Sequence, residues 1–171
     1  MKEIYLMRHA ETEENEKEIY IGQQDGNLSK SGLKQAQSKK LPDYDVIICS
    51  DLKRAKQTAE IINKNNKPVI FTSLLRERSI GDWEGIKKQE FKEKWKSKNE
   101  KDCEFKPGNG ESYIDVLERF KKTVSLAEKT EHNRIFMITH GRLIKIALNH
   151  SEKKPICLDR EIKNCEIRRF K

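Results

Sequence analysis

Three short apolar runs rich in β-branched residues, at 4–7, 46–49 and 135–138, stand far apart in a chain of 171 residues, and each stops at polar or charged side chains. The first gives way to Arg8 and His9, the second to Ser50-Asp51-Leu52-Lys53-Arg54, and the third to Thr139-His140-Gly141. Runs that are continuously apolar rather than alternating belong to strands buried on both faces, and the segments of helical period between them supply the cover. The pattern predicts an α/β fold: one three-layer domain with a mostly parallel central sheet flanked by helices. Ligands of open α/β sheets bind beyond the carboxyl ends of the strands. Two arginines and two histidines therefore converge on one patch, and that composition suits a doubly charged phosphate.

Length and composition agree with a single domain over 1–171 able to bury a sizeable core. No apolar stretch approaches the ~20 residues that span a bilayer. The opening run is too short for a signal-peptide core, so a cytoplasmic protein without membrane partners is expected. Charged residues make up 37% of the chain and the net charge is +8. The lysines are interleaved with glutamates on every expected helix rather than gathered into a basic stripe with aromatic residues. That distribution argues against nucleic acid and for a small anionic substrate. Cys49, Cys103, Cys157 and Cys165 have no Cys-x-x-Cys spacing, which excludes a structural zinc site of that type. Thiols are expected in a reducing compartment, with a Cys157–Cys165 disulfide as the alternative in an unusual one.

The scaffold reads as strands at 2–7, 45–49, 69–72 and 134–138. Helices are expected at 31–41, with Leu33, Ala36 and Leu41 inward; after Ser50 as N-cap, with Arg54 one turn in; at 86–98, striped by Ile86, Phe91 and Trp95; from Ser112, with a capping box to Asp115; and over 143–148. A polar segment at 100–110 reads as a loop at the rim of the site, and 162–170 as an edge strand. His132 and His150 read as surface histidines, and Lys87, Lys88, Lys92 and Lys94 as a solvated helix face.

A phosphate monoester repels nucleophiles by its own charge, so transfer of its phosphoryl group requires neutralised equatorial oxygens and an in-line nucleophile. Arg8 and Arg54 supply planar, bidentate donors, and a histidine attacks only when neutral, a state that neighbouring cations favour. Two guanidinium groups supply the charge, so the reading requires no metal and no cofactor.

The blocks Arg8-His9-Ala10-Glu11-Thr12 with Asn15, Ser50-Asp51-Leu52-Lys53-Arg54-Ala55 with Gln57-Thr58-Ala59-Glu60, Leu75-Arg76-Glu77 through Gly85, and Thr139-His140-Gly141 occur in this order. With them stand Gly22, Leu28-Ser29 and Gly32, and the loop Pro107-Gly108-Asn109-Gly110-Glu111-Ser112. Together, over residues 1 to 148, they resemble the histidine phosphatase superfamily, the phosphoglycerate mutase-like or RHG family. The resemblance implies that His9 becomes a phosphohistidine, that His140 holds the transferred group with Arg8 and Arg54, and that Glu77 is the general acid that later activates water. Asn15, Glu11 and Glu111 are candidate substrate contacts, although Glu11 is equally suited to a surface ion pair and Glu111 to a helix terminus. Arg76 and Arg78 should point away from Glu77. In this family the insertion at 86–111 often contributes to substrate choice.

Ala10 stands where the family usually has glycine, which would strain the backbone if that position needed positive φ. Asn109 interrupts the glycine-rich loop and could displace Glu111. The long basic insertion of the glycolytic mutases is not recognisable between Gly85 and Gly110. Hydrolysis of a small phosphomonoester is therefore the first reading, with mutase-type transfer or a non-catalytic phosphate-binding module as alternatives. A phosphohistidine-protein phosphatase is disfavoured, because a P–N leaving group has little use for an acid at Glu77.

Overall fold

The computed structural model describes residues 2–96 and 102–171. A five-stranded sheet forms its centre, in the order β4 (Val69–Thr72), β3 (Val46–Ser50), β6 (Arg134–Thr139), β1 (Glu3–Arg8) and β7 (Ile167–Arg169). Four strands are parallel, and β7 runs antiparallel on the edge beside β1. The expected α/β sandwich is what the chain forms.

Side chains alternate between the faces of the three central strands, and both faces are dry. Ile4, Leu6, Val46, Ile48, Ile135 and Met137 pack under α5 (Tyr113–Lys129) and α6 (Gly141–Ser151), where Phe120, Leu143 and Ile144 cover them. Met7, Ile47, Cys49, Phe136 and Ile138 pack against Ala36 of α2 (Lys30–Gln37) and Ala55, Ala59 and Ile62 of α3 (Lys53–Ile62). Small residues on α2 and α3 allow those helices to approach the sheet closely. Each fully buried Ile, Leu, Met or Phe contributes roughly 1.5–3 kcal/mol, so these two layers dominate the stability.

Register then sets the site. Arg8 pairs with Thr139 and Cys49 with Ile138, so the carboxyl ends of β1, β6 and β3 lie side by side. The residues after them share one edge.

Several boundaries differ from expectation for local reasons. Helix α2 starts after the N-cap Ser29, which accepts from Gly32 N, and stops at Gln37. There the Ser38 hydroxyl bonds back to the carbonyl of Lys34 and competes with further helix. Leu33, expected inward, is 40% exposed. Helix α3 is capped not by Ser50 but by Leu52, which has no capping side chain; Asp25 instead accepts from Lys53 N at 3.0 Å. Arg54 is thus the second residue of its helix. The expected helix at 86–98 begins as β5 (Ile86–Lys87), paired with β2 (Ile19–Tyr20), before α4 (Lys88–Lys96); residues 97 and 98 lie outside those described. Within the expected loop at 100–110, residues 100 and 101 also lie outside, and 102–110 include a 3₁₀ turn at Pro107–Asn109. The tail is strand only over Ile167–Arg169. A short helix α1 (Glu13–Glu16), with the capping pair Thr12 and Asn15, completes the chain.

The glycine-rich loop is clamped rather than free at a rim. A Cβ on Gly81 would sit 1.6 Å from the Gly108 carbonyl oxygen, so two backbone segments touch where no side chain fits. Asn109 adopts φ +62, a conformation asparagine tolerates, and leaves that clamp intact. The strain envisaged at Ala10 does not arise, because its φ is not positive; the methyl is fully buried and its N–H donates to Thr58 Oγ1.

Candidate active site

His9 leaves β1 with 4% of its surface exposed. Its Nδ1 lies 2.7 Å from the carbonyl oxygen of Ala10. A carbonyl oxygen can only accept, so the ring proton resides on Nδ1 and the lone pair on Nε2. Arg54 donates its Nε–H to that Nε2 at 3.3 Å, while its two terminal nitrogens each bond a backbone carbonyl, Gln24 and Gly22, at 2.7 Å. The loop at 22–25 thereby fixes the guanidinium. Burial, and after it the charges of Arg54 and Arg8, hold the His9 pKa well below the ordinary imidazole value. Its neutral form is secured as the sequence implied, with burial the larger cause.

His140 is fully buried at the N-cap of α6, its ring 5.0 Å from that of His9. Its Nε2 lies 2.8 Å from Ser50 Oγ, which also accepts from Leu52 N. The Ser50 hydroxyl has one proton, and Nε2 is the acceptor in reach, so Ser50 donates and His140 carries its own proton on Nδ1. Burial and Arg54 keep this ring neutral as well. His140 Nδ1 and Arg8 Nε are buried with no hydrogen-bond partner among the described residues. Two donors are thus left unsatisfied beside the His9 lone pair, an arrangement costly unless an anion meets them. Arg8 is anchored through its Nη1 to the Ile162 carbonyl, and Gly141 lets its guanidinium lie close; a Cβ there would be 3.4 Å from Nε.

Glu77 accepts from Arg78 N at 2.8 Å with one oxygen and from Arg142 N at 3.2 Å with the other. It sits at the N-terminus of α6. Arg76 grips Asp51 at 2.7 Å through two bonds, and Arg78 reaches the carbonyls of Glu111 and Phe105 while lying over the Tyr113 ring. Neither guanidinium group bonds the Glu77 carboxylate.

An open pocket of about 940 Å³ is lined by Arg8, Glu11, Asn15, Glu77, Gly141 and Arg142 among others. Asn15 forms the α1 capping box and accepts from Asn164, which also donates to the His9 carbonyl. Glu111 is elsewhere: its oxygens receive two bonds from Arg119, one from Gln23 and one from Ser79 N. These bonds make it a tie between α5 and the segment after β4. Lys88 and Lys92, read from the sequence as solvated, line the mouth. Arg142, Ser50 and Asn164 were not anticipated. Ser50 ends an apolar run, a signal that placed it only as a cap, and Asn164 lies in a tail with no periodic pattern at all. Among the described residues no cluster of histidine, cysteine or carboxylate side chains could hold a metal ion.

A neutral imidazole lone pair stands beside a buried and a partly buried guanidinium group, a second imidazole and a carboxylate, an arrangement of charge that suits a phosphate group. The chain belongs to the histidine phosphatase superfamily (branch 1), whose family model matches residues 4–171. It is 33% identical over 159 residues to a metal-independent phosphoserine phosphatase of Arabidopsis thaliana, covering 84% of this chain and 66% of that one. It is 28% identical over 159 residues to a phosphoglycerate mutase of Schizosaccharomyces pombe, covering 83% and 75%. The solved structure of a mycobacterial glucosyl-3-phosphoglycerate phosphatase complexed with VO3 superposes with a TM-score of 0.83 at 25% identity, covering 98% and 91%. Phosphatase and mutase names both occur among its relatives, and the chemistry common to them is phosphoryl transfer.

Proposed function

We propose that the protein is a metal-independent phosphatase that hydrolyses a small phosphomonoester through a phosphohistidine at His9. The observation that carries this reading is the neutral His9 Nε2 lone pair beside the unsatisfied donors of Arg8 and His140. The substrate phosphate displaces Arg54 Nε–H from Nε2 and takes the guanidinium donors of Arg8 and Arg54 and the Nδ1–H of His140 on its equatorial oxygens. Nε2 then forms the N–P bond as the P–O bond to the alcohol breaks, and Glu77 delivers a proton to the departing oxygen. In the second half Glu77 takes a proton from water, whose oxygen attacks phosphorus and releases phosphate and the free imidazole. Asn15 and Glu11 contact the substrate at the pocket wall.

Hydrolysis is favoured over mutase transfer because the insertion that contains α4 is short, and the long basic stretch of the glycolytic mutases is not recognisable in its sequence. The ligand proposed is a small phosphorylated molecule, not nucleic acid or a membrane surface. Among the described residues no helix is long and apolar enough to cross a membrane, and a cytoplasmic setting is part of the proposal. The test is phosphate release from a panel of phosphomonoesters with EDTA present, together with trapping of the phosphoenzyme by an alkaline denaturing quench, which preserves phosphohistidine. Turnover and an acid-labile phosphoenzyme, both lost in His9→Ala, are expected. Release that survives His9→Ala would overturn the nucleophile, and phosphoryl exchange between substrate hydroxyls without net release would make the protein a mutase.

A further inference from the structure

Beside the catalytic pocket lies a second cleft, of about 770 Å³, whose lining is mostly apolar and includes four aromatic side chains. Tyr20, Lys92, Arg142, Lys145 and Asp159 line both cavities, so the two adjoin. Phe91 and Trp95 of α4 stack at 5.5 Å with planes 14° apart; Tyr20 meets Phe91 edge-on at 4.8 Å, and Trp95 meets Tyr113 edge-on at 6.2 Å. Arg78 lies against the Trp95 and Tyr113 rings from within the fold. Across from the rings, Leu158 stands 49% exposed in a turn held by its own N–H to the Pro155 carbonyl and by Asn149 to its carbonyl.

We propose that this cleft is the subsite for the alcohol portion of the substrate, and that the substrate class is a phosphomonoester whose leaving group carries a planar aromatic body. The proposal rests on the phosphatase reading of the catalytic pocket. The shared walls place the cleft next to the pocket lined by Arg8 and by Glu77, the proton donor to the leaving group in that reading. Its chemistry selects the occupant. Three of the four charged groups at the junction already satisfy one another, Asp159 binding Lys145 at 2.7 Å and Arg142 at 3.7 Å, and Arg142 also donates to the Tyr113 hydroxyl. A polyhydroxylated leaving group would lose its hydration there and find few partners in return. A flat apolar ring gains burial against rings whose geometry is already fixed, with little further ordering to oppose it.

The experiment compares 2-(2-naphthyl)ethyl phosphate, ethyl phosphate and glucose 6-phosphate on the full chain, because the three leaving alkoxides are of comparable difficulty and differ in the body they carry. The naphthyl ester should exceed ethyl phosphate in kcat/KM by about tenfold to hundredfold, since the ring's burial is realised in the transition state. Leu158→Glu, which changes only the cleft wall, should erase that advantage and leave ethyl phosphate turnover within about twofold. Equal rates for the naphthyl and ethyl esters, or a preference for glucose 6-phosphate, would overturn the proposal. Binding of the matching phosphonates, followed by tryptophan fluorescence, separates its failure from that of the phosphatase reading. If no ester is turned over but the naphthyl phosphonate binds more tightly than ethylphosphonate in a Leu158-dependent way, the subsite stands and hydrolysis falls. Equal phosphonate affinities reject the subsite.

Discussion

At the scale of single residues, the site depends on where two protons reside. The Ala10 carbonyl fixes one on His9 Nδ1, and Ser50 fixes the other on His140 Nδ1. Ser50→Ala removes the donor to His140 Nε2 and frees the ring to adopt the wrong tautomer. A fall in kcat of roughly tenfold to a hundredfold with the fold retained is expected, and Ser50→Thr should restore much of it because the hydroxyl returns. Steady-state kinetics with circular dichroism checks this; an unchanged kcat in Ser50→Ala would mean that the tautomer is set otherwise. The same burial has a cost at low pH. Both imidazoles have folded pKa values depressed below the ~6.5 of the unfolded chain, so below that pH the unfolded state binds more protons. Stability is full above ~6.5 and is lost as pH falls through it, by at most about 1.4 kcal/mol per pH unit for each histidine. Urea unfolding at neutral and mildly acid pH should show this slope, roughly halved in His9→Asn. The acid limb of kcat/KM should likewise fall below ~6.5, since His9 stays neutral there.

At the scale of elements, the helix capped by Ser112 and the clamp under it can be separated from catalysis. Glu111 lies in a half-dry setting between Arg119, Gln23 and Ser79, with Arg119 only 12% exposed. Glu111→Ala removes the carboxylate partner of that guanidinium, leaves it only the Leu74 and Glu77 carbonyls, and should destabilise the fold by about 2–4 kcal/mol. At a temperature where the variant is folded, KM should stay within about twofold of the parent, whereas a substrate contact would raise it tenfold or more. Thermal unfolding and kinetics on one preparation distinguish the two roles. This residue also marks how far the sequence could be read. The parallel strands were legible because a strand buried on both faces is apolar throughout, and the clustered histidines and arginines because polar groups ending such runs stand out. The capping box at Ser112 was legible because it is local. Glu111 was not, since its partners Gln23, Ser79 and Arg119 come from separate stretches of the chain. The end of α2 turned on one hydroxyl at Ser38, and the β2–β5 pair on strands of two residues, too short to carry a period.

At the scale of the whole molecule, a net charge of +8 would draw any phosphorylated solute, yet the pocket mouth is not uniformly basic. Lys88 and Lys92 stand there with Glu16 and Glu18, and Lys88 lies 3.8 Å from Glu18. Much of the local field therefore cancels before a ligand reaches Arg8. The Debye length shortens from ~30 Å at 0.01 M salt to ~3 Å at 1 M, so the long-range part of the attraction can be titrated away while the buried guanidinium groups remain effective. Raising the ionic strength across that range should lower kcat/KM for a small phosphomonoester by only about two- to fivefold and leave kcat unchanged, since steering acts on encounter. Lys92→Glu should lower kcat/KM at low salt and flatten the dependence, while Lys88→Glu changes less because Lys88 is partly neutralised already. Stopped-flow or steady-state rates over the salt series provide the measurement. A loss of about a thousandfold or more over a much narrower salt range would be the signature of counterion release from a polyanion, and would redirect the search from small phosphate esters to nucleic acid.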